Sequence, residues 1–175
     1  MAARSAVVRR ANSDDAREIV DILRDAFKEY EPLYTQNAFA ATTPGPDRVL
    51  ARLREGAIWV AEVKGLVGTA AAIKNGRALT ICSVGVRPAA RGQGIGVDLL
   101  TAVEGYAIRH RCRELLLTTT PFLHHAIRLY GRFGFVQVQD APRDLFGTPL
   151  LAMRKDLARP WMACEFSEIC RLVGG

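Results

Sequence analysis

Between Val84 and Gly96 the chain reads Val-Gly-Val-Arg-Pro-Ala-Ala-Arg-Gly-Gln-Gly-Ile-Gly, and this stretch limits the fold more than any other. An apolar, β-rich run, Ala78 to Val86, precedes it, and an apolar-periodic run, Val97 to His110, follows it. A strand therefore leaves a sheet, turns at Arg87-Pro88, and enters a helix through three alternate glycines, Gly92, Gly94 and Gly96. Glycine lets backbone N–H groups approach a ligand closely. A helix start adds unpaired N–H groups and the positive end of the peptide dipole. The combination is an anion site suited to phosphate or pyrophosphate. Two other phosphate motifs do not match. A dinucleotide fingerprint needs glycine in the sixth place counting from Gly92 as the first, where Val97 stands, and no Gly-Lys pair exists to make a Walker loop.

A length of 175 residues fits one domain with a full core, spanning 1–157, and leaves a tail at 158–175. Charged residues make up 24% of the chain, an ordinary globular mix with a net charge of +6. All but four of the basic residues are arginine, but they are spread along the chain rather than gathered in a block. That spread argues against nucleic acid as the main partner, and an anionic cofactor needs only a few arginines. Cys82, Cys112, Cys164 and Cys170 form no C-x-x-C pair, so neither a zinc site nor a disulfide framework is expected, and no metal is. Cys82 and Cys112 read as buried structural thiols. The N-terminus lacks a signal-peptide apolar core and no run is long enough to span a membrane, so a cytoplasmic protein is expected.

Taken in order, Val7 to Arg10 reads as a strand. Asn12 or Ser13 caps a helix whose buried face is Ile19, Ile22, Leu23, Ala26 and Phe27. Glu31 to Pro46 reads as a loop with a short helical turn near Asn37 to Ala41, and Asp47 to Arg54 as a second short helix ended by Gly56. Ala57 to Lys64, Leu66 to Lys74 and Ala78 to Val86 make an antiparallel meander, its second turn marked by Asn75-Gly76. After the glycine helix come a strand, Glu114 to Thr120, and a helix entered at Pro121 and ended by Gly134. Strands at Phe135 to Gln139 and Leu150 to Leu157 follow, with a loop from Asp140 to Pro149 between them. Trp161, Met162, Phe166, Ile169 and Leu172 suit a short tail helix and a homodimer contact. The fold class is α+β, in three α/β/α layers: a mixed, mostly antiparallel sheet of about seven strands with helices on both faces.

At two places the residues resemble the GNAT superfamily of acyl-CoA-dependent N-acetyltransferases. Arg91-Gly92-Gln93-Gly94-Ile95-Gly96 is similar to its Gln/Arg-x-x-Gly-x-Gly/Ala motif, with Val84-Gly85-Val86-Arg87-Pro88 as the strand end that leads in. About forty residues on, Ala126 to Phe135 is similar to its Ala-x-x-Leu-Tyr-x-x-x-Gly-Phe. The resemblance covers roughly Val7 to Leu157 and implies a GNAT-like fold with acetyl-CoA as acyl donor. It implies that the amides from Gly92 to Gly96 hold the pyrophosphate, aided by Arg91 or Gln93. It implies that Val84, Gly85 and Val86 pair with the pantetheine arm, with an N–H near Val84 against the thioester oxygen. The strands ending at Val86 and Thr120 are expected to splay and admit the donor. Leu123, where the family often has Asn, and Ala126 are expected against the cofactor, and Tyr130 is the general acid for the leaving thiolate. His124 and His125 read as a solvated helix start.

The base is less clearly marked. The family's frequent Glu positions hold Thr80 and Thr118 here. A water relay through Thr80, Ser83 or Thr118, a loop carboxylate such as Glu31, and an amine that arrives neutral all remain open. Substrate choice in the family comes from the loops matching Glu29 to Pro46 and Gln139 to Pro149. Tyr30, Tyr34 and Phe39 with Glu29 and Glu31 in the first, and Asp140, Arg143, Asp144 and Phe146 in the second, would suit a cationic amine. The expected activity is acetyl transfer to a primary amine of a small molecule or a peptide, by direct attack in a ternary complex. A non-catalytic acyl-CoA-binding module with the same fold is the alternative.

Overall fold

The chain enters as an edge strand, β1 (Val7–Arg10). The structure, a computed structural model, describes residues 6–139 and 144–157. Asn12 then turns the backbone into a helix. Its side chain accepts from the Asp14 N–H, and the Asp15 carboxylate accepts from the N–H of Asn12 at 2.9 Å. This reciprocal cap satisfies donors that a helix start leaves free. Two guanidinium nitrogens of Arg9 reach the Asp15 oxygens at 2.8 Å, and this pairing holds the Asp15 carboxyl below the usual carboxylate range.

After one 3-10 turn, α1 (Ala16–Phe27) lays Ile19, Val20, Ile22, Leu23 and Ala26 on the sheet. The stretch expected to be a loop holds a 3-10 segment that runs into it, Lys28–Leu33, and α2 (Gln36–Thr42), which is the helical turn expected near Asn37 to Ala41. Thr35 caps α2, its hydroxyl accepting from the Ala38 N–H at 3.3 Å. α3 (Pro46–Glu55) stops at Gly56, as the sequence indicates, and starts one residue before the expected Asp47, on a proline that suits a first helical turn.

The antiparallel meander is β2 (Ala57–Glu62), β3 (Leu66–Asn75) and β4 (Ala78–Val86). β2 is buried on both faces: Ala57, Trp59 and Ala61 join one core, and Ile58 and Val60 the other. Then follow α4 (Ile95–Arg109), β5 (Glu114–Thr119) and α5 (His124–Arg132). The last helix begins later than Pro121 suggests, because residues 120–123 close a turn in which the Leu123 N–H donates to the Thr120 carbonyl at 3.1 Å. β6 (Val136–Val138) comes next. The expected loop before the final strand holds a small hairpin, β7 (Asp144–Leu145) and β8 (Thr148–Pro149), which leads into β9 (Leu151–Asp156). Asp140 and Arg143 lie outside the described residues, as do the expected tail helix and its dimer contact.

The main sheet has the order β1-β2-β3-β4-β5-β9-β6. Its neighbours pair antiparallel except β4 and β5, which are parallel. On one face α1 and α3 seal a core of Ile22, Leu23, Val49, Ile58 and Val60. On the other, α4 buries Leu99, Leu100 and Val103 against Leu79, Leu115 and Leu117. Complete burial of a leucine side chain is worth roughly 2 kcal/mol, so each face is held by several such terms. This is the three-layer mixed-sheet architecture that the sequence implies. Among the described residues no helix is long and apolar enough to cross a membrane.

Candidate active site

β4 and β5 stay paired only from Ala78 opposite Glu114 to Ile81 opposite Leu117. Beyond that point β4 continues to Val86 and β5 to Thr119 without each other, so the centre of the sheet opens as a fork. The cause lies on the far edge of β4. Thr69 of β3 pairs with Gly85 and Ala71 with Cys82, so Ser83 and Val84 together face Ala70. This is a β-bulge, and Ser83 sits in it with φ 53, a left-handed backbone that a non-glycine residue seldom adopts. The extra residue bends β4 away from its parallel neighbour at a local cost of about 1–3 kcal/mol.

At the mouth of the fork, Gly92 and Gly94 have φ 76 and 81, which any side chain would strain. Gly94 is the cap residue of α4, and no side chain bonds the first N–H groups of that helix. A Cβ on Gly96 would lie 2.7 Å from Leu129 Cδ2, so glycine also lets the first turn of α4 pack closely on α5. A cavity of about 790 Å³ runs from this turn along Ser83–Val86 to Leu117–Thr120 and under α5. The geometry fits an elongated ligand with an anionic group: free amides at one end, then a strand edge without a partner.

Tyr130, 6% exposed, closes the floor of the fork, its ring edge-on to Phe135 at 5.9 Å between centroids. Burial pushes its phenol pKa far up, and the nearby Tyr34 hydroxyl adds to the shift. The Tyr130 hydroxyl therefore keeps its proton throughout the physiological range.

The model of the acetyltransferase (GNAT) family matches residues 16–135. The chain belongs to that family. Solved structures with the same fold include a GNAT acetyltransferase from Staphylococcus aureus (17% identity, 88% of this chain and 100% of that one, TM-score 0.74). Another is the PaiA N-acetyltransferase from Thermoplasma acidophilum in complex with coenzyme A (16%, 87% and 99%, TM-score 0.75). A third is YncA from Salmonella typhimurium with acetyl-CoA (25%, 88% and 95%, TM-score 0.68). Comparison with curated proteins returned no match.

In this GNAT fold the two sequence motifs meet in one cavity. Val84, Gly85, Val86, Arg91, Gly92, Gly94, Ile95 and Gly96 line it from one side, and Leu123, Ala126 and Tyr130 from the other. Tyr34 and Thr118 line it as well. Three expected residues do not. Gln93 turns its amide to the Ala89 carbonyl at 3.4 Å. Thr80 is held in the ladder opposite Leu116, below the point where the fork opens. Glu31 is exposed on the 3-10 segment, away from the lining. Arg91 stays at the mouth, bonded to Glu29 and donating to the Ala26 carbonyl at 2.8 Å.

The sequence reading missed Arg52, Thr42 and Thr120, all of which line the cavity. Thr120 could have been found: two residues beyond Thr118, it shares that residue's side of an extended chain. Its Oγ1 is buried and has no hydrogen-bond partner within bonding geometry among the described residues. The Tyr34 hydroxyl lies near it, and burial raises the Tyr34 pKa against the opposing influence of the Thr120 and Thr42 hydroxyls. The β7–β8 hairpin closes this end. The Thr35 N–H donates to Thr148 Oγ1 at 3.0 Å and the Thr35 hydroxyl to the Phe146 carbonyl at 2.8 Å, which sets Leu145 in the wall.

Proposed function

We propose that the chain transfers an acetyl group from acetyl-CoA to a primary amine in a ternary complex. The observation that carries this is the fork itself. Its open β4 edge begins at a strained bulge, ends at a glycine-framed helix start, and has one buried phenol at its floor. The N–H groups from Gly92 to Gly96 take the pyrophosphate, and Val84 to Val86 pair with the pantetheine arm as a strand would. The binding of CoA or acetyl-CoA by the Thermoplasma and Salmonella proteins supports this reading.

The amine nitrogen attacks the thioester carbonyl, a C–N bond forms, and the C–S bond breaks. Tyr130 gives its proton to the leaving thiolate and recovers one from solvent, while the amine's proton leaves to water. Among the described residues the cavity wall has no Asp or Glu, so no carboxylate stands ready as base. The hydroxyls of Thr118, Thr120 and Tyr34 are the groups along which water can carry that proton. The rate should therefore follow the ionisation of the amine itself, rising with pH until the amine is neutral. A plateau near the pKa of a carboxylate would mean that a base has been overlooked.

The direct test measures thiol release from acetyl-CoA against a panel of primary amines, with thermal stabilisation by acetyl-CoA measured in parallel. Stabilisation without turnover on any amine would make the protein a binding module instead.

A further inference from the structure

The charge of the cavity wall opposes the expectation of a cationic acceptor. Among the described residues its ionisable cations are Arg52, Arg91 and Arg132, joined by His125, and it has no carboxylate. Arg91 is neutralised by Glu29 at the mouth, and Arg132 and His125 lie on α5 beside Val97, toward the glycine turn. Arg52 differs from both. It projects from α3, is half-buried, and bonds to the Ser83 hydroxyl in the bulge. It forms no ion pair among the described residues. Its neighbours on α3, Arg48 and Glu55, are spent on each other at 2.7 Å.

A half-buried arginine without a counter-ion is a ready partner for an anionic group of a ligand. That ligand group is not the pyrophosphate. Ser83 stands three residues back from the strand end at Val86, roughly 10 Å along the strand, before the glycine turn even begins. Arg52 thus sits where the reacting end of the donor meets the acceptor. A second feature lies in the same cavity: Thr120 Oγ1, on a residue 3% exposed, has no hydrogen-bond partner within bonding geometry among the described residues, with the Tyr34 hydroxyl standing near it. Tyr30 and Tyr34, which flank Phe122, give the region an aromatic side.

We infer that the acceptor is an amine that also carries a carboxylate, of the amino-acid type. Its carboxylate pairs with Arg52, and Thr120 Oγ1 bonds a polar group of the same molecule. Guanidinium binds carboxylate in a planar, two-point fashion that a lysine does not reproduce. This assignment rests on the acetyltransferase reading above and names its acceptor class.

The test uses the full chain and two readouts. In the first, kcat/KM with acetyl-CoA is compared for free amino acids, their carboxamides and polyamines. Acids should exceed the matched amides by about 10- to 100-fold, the range for a charge-assisted hydrogen bond. Arg52→Gln should erase that preference while leaving the KM for acetyl-CoA within about twofold, and Arg52→Lys should restore only part of it. In the second, N-acetyl amino acids and their carboxamides are compared as thermal stabilisers of the CoA-loaded protein. Stabilisation by the acids alone, lost in Arg52→Gln, upholds the carboxylate site even if no amine turns over, in which case only the catalytic reading fails. Equal behaviour of acids and amides in both readouts overturns the proposal. So does an Arg52→Gln variant whose defect is in acetyl-CoA binding.

Discussion

At the proposed donor end of the cavity the wall is backbone: the open edge of β4 and the uncapped amides from Gly92 to Gly96. At the proposed acceptor end it is side chains brought from four separate places: Tyr34 before α2, Arg52 on α3, Thr120 after β5, and Leu145 on the small hairpin. A site made of backbone tolerates few residue types, because glycine is strongly favoured at a positive φ or a near contact, so it leaves a spaced pattern in the chain. A site made of side chains converging from distant segments can use common residues, and nothing in their spacing marks them. The two ends should therefore fail differently when changed.

The largest effect is expected at the donor end. Gly94→Glu forces a side chain onto a backbone at φ 81 and sets a negative charge in the anion cradle. Acetyl-CoA affinity, measured by calorimetry, should fall by more than about 100-fold while circular dichroism keeps its native form. Tyr130→Phe lies between the two ends and should separate them. It should lower kcat by about 100-fold with little change in donor affinity, as expected for loss of a general acid. Unaltered kcat would remove Tyr130 from the chemistry.

The same substitution has a pH signature. A phenol whose folded pKa is raised contributes stability that is fully present below its unfolded value of about 10 and is lost as pH climbs from there toward the folded one. Tyr130 and Tyr34 both have raised values. Chemical denaturation should show a decline above about pH 10 in the parent and a shallower one in Tyr130→Phe.

Asp15→Asn tests whether the contrast between the ends is local. Asp15 sits under α1, paired with Arg9, outside the cavity lining. Its lowered pKa means that its contribution is present above about pH 4 and lost as pH falls through the folded value. The variant should lose about 1–2 kcal/mol at neutral pH, seen as a lower denaturation midpoint, with kinetic constants for donor and acceptor unchanged. The smallest effect, and the most telling for the acceptor end, is that of Thr120→Val. Removing a buried hydroxyl that has no partner should stabilise the free protein by about 1 kcal/mol and yet raise the acceptor KM. Destabilisation would show that Thr120 serves the fold rather than the ligand.

These contrasts also explain what could be read in advance. The sheet, its helices and the glycine turn at the start of α4 follow from alternation, from Asn75-Gly76, and from two spaced motifs. The splaying of β4 from β5 was expected from the family resemblance, but the bulge where it starts was not, because it turns on Ser83 at a positive φ, where glycine or asparagine would have been the signal. The β7–β8 hairpin was hidden for a related reason. Its turn places Phe146 at φ 48 before Gly147 at φ 85, and its two-residue strands are too short to show alternation. Thr80 and Glu31 were singled out by correspondence or composition, whereas position is decided by ladder pairing in one case and exposure in the other. Arg52 was one arginine among many until the fold placed it in the cavity wall, with no ion-pair partner among the described residues.

The short pairing of β4 with β5 has a further consequence. Strands β1 to β4 all come from residues 7–86, and β5, β6 and β9 all come from residues 114–156. The sheet's central seam is therefore also a seam of the polypeptide, crossed once by the chain, in the turn at residues 110–113. Two polypeptides divided in that turn would each hold one whole jaw, and the donor proposed here would lie between them. Their association should tighten as acetyl-CoA is added, which would make the protein a natural scaffold for a split reporter of the acyl donor.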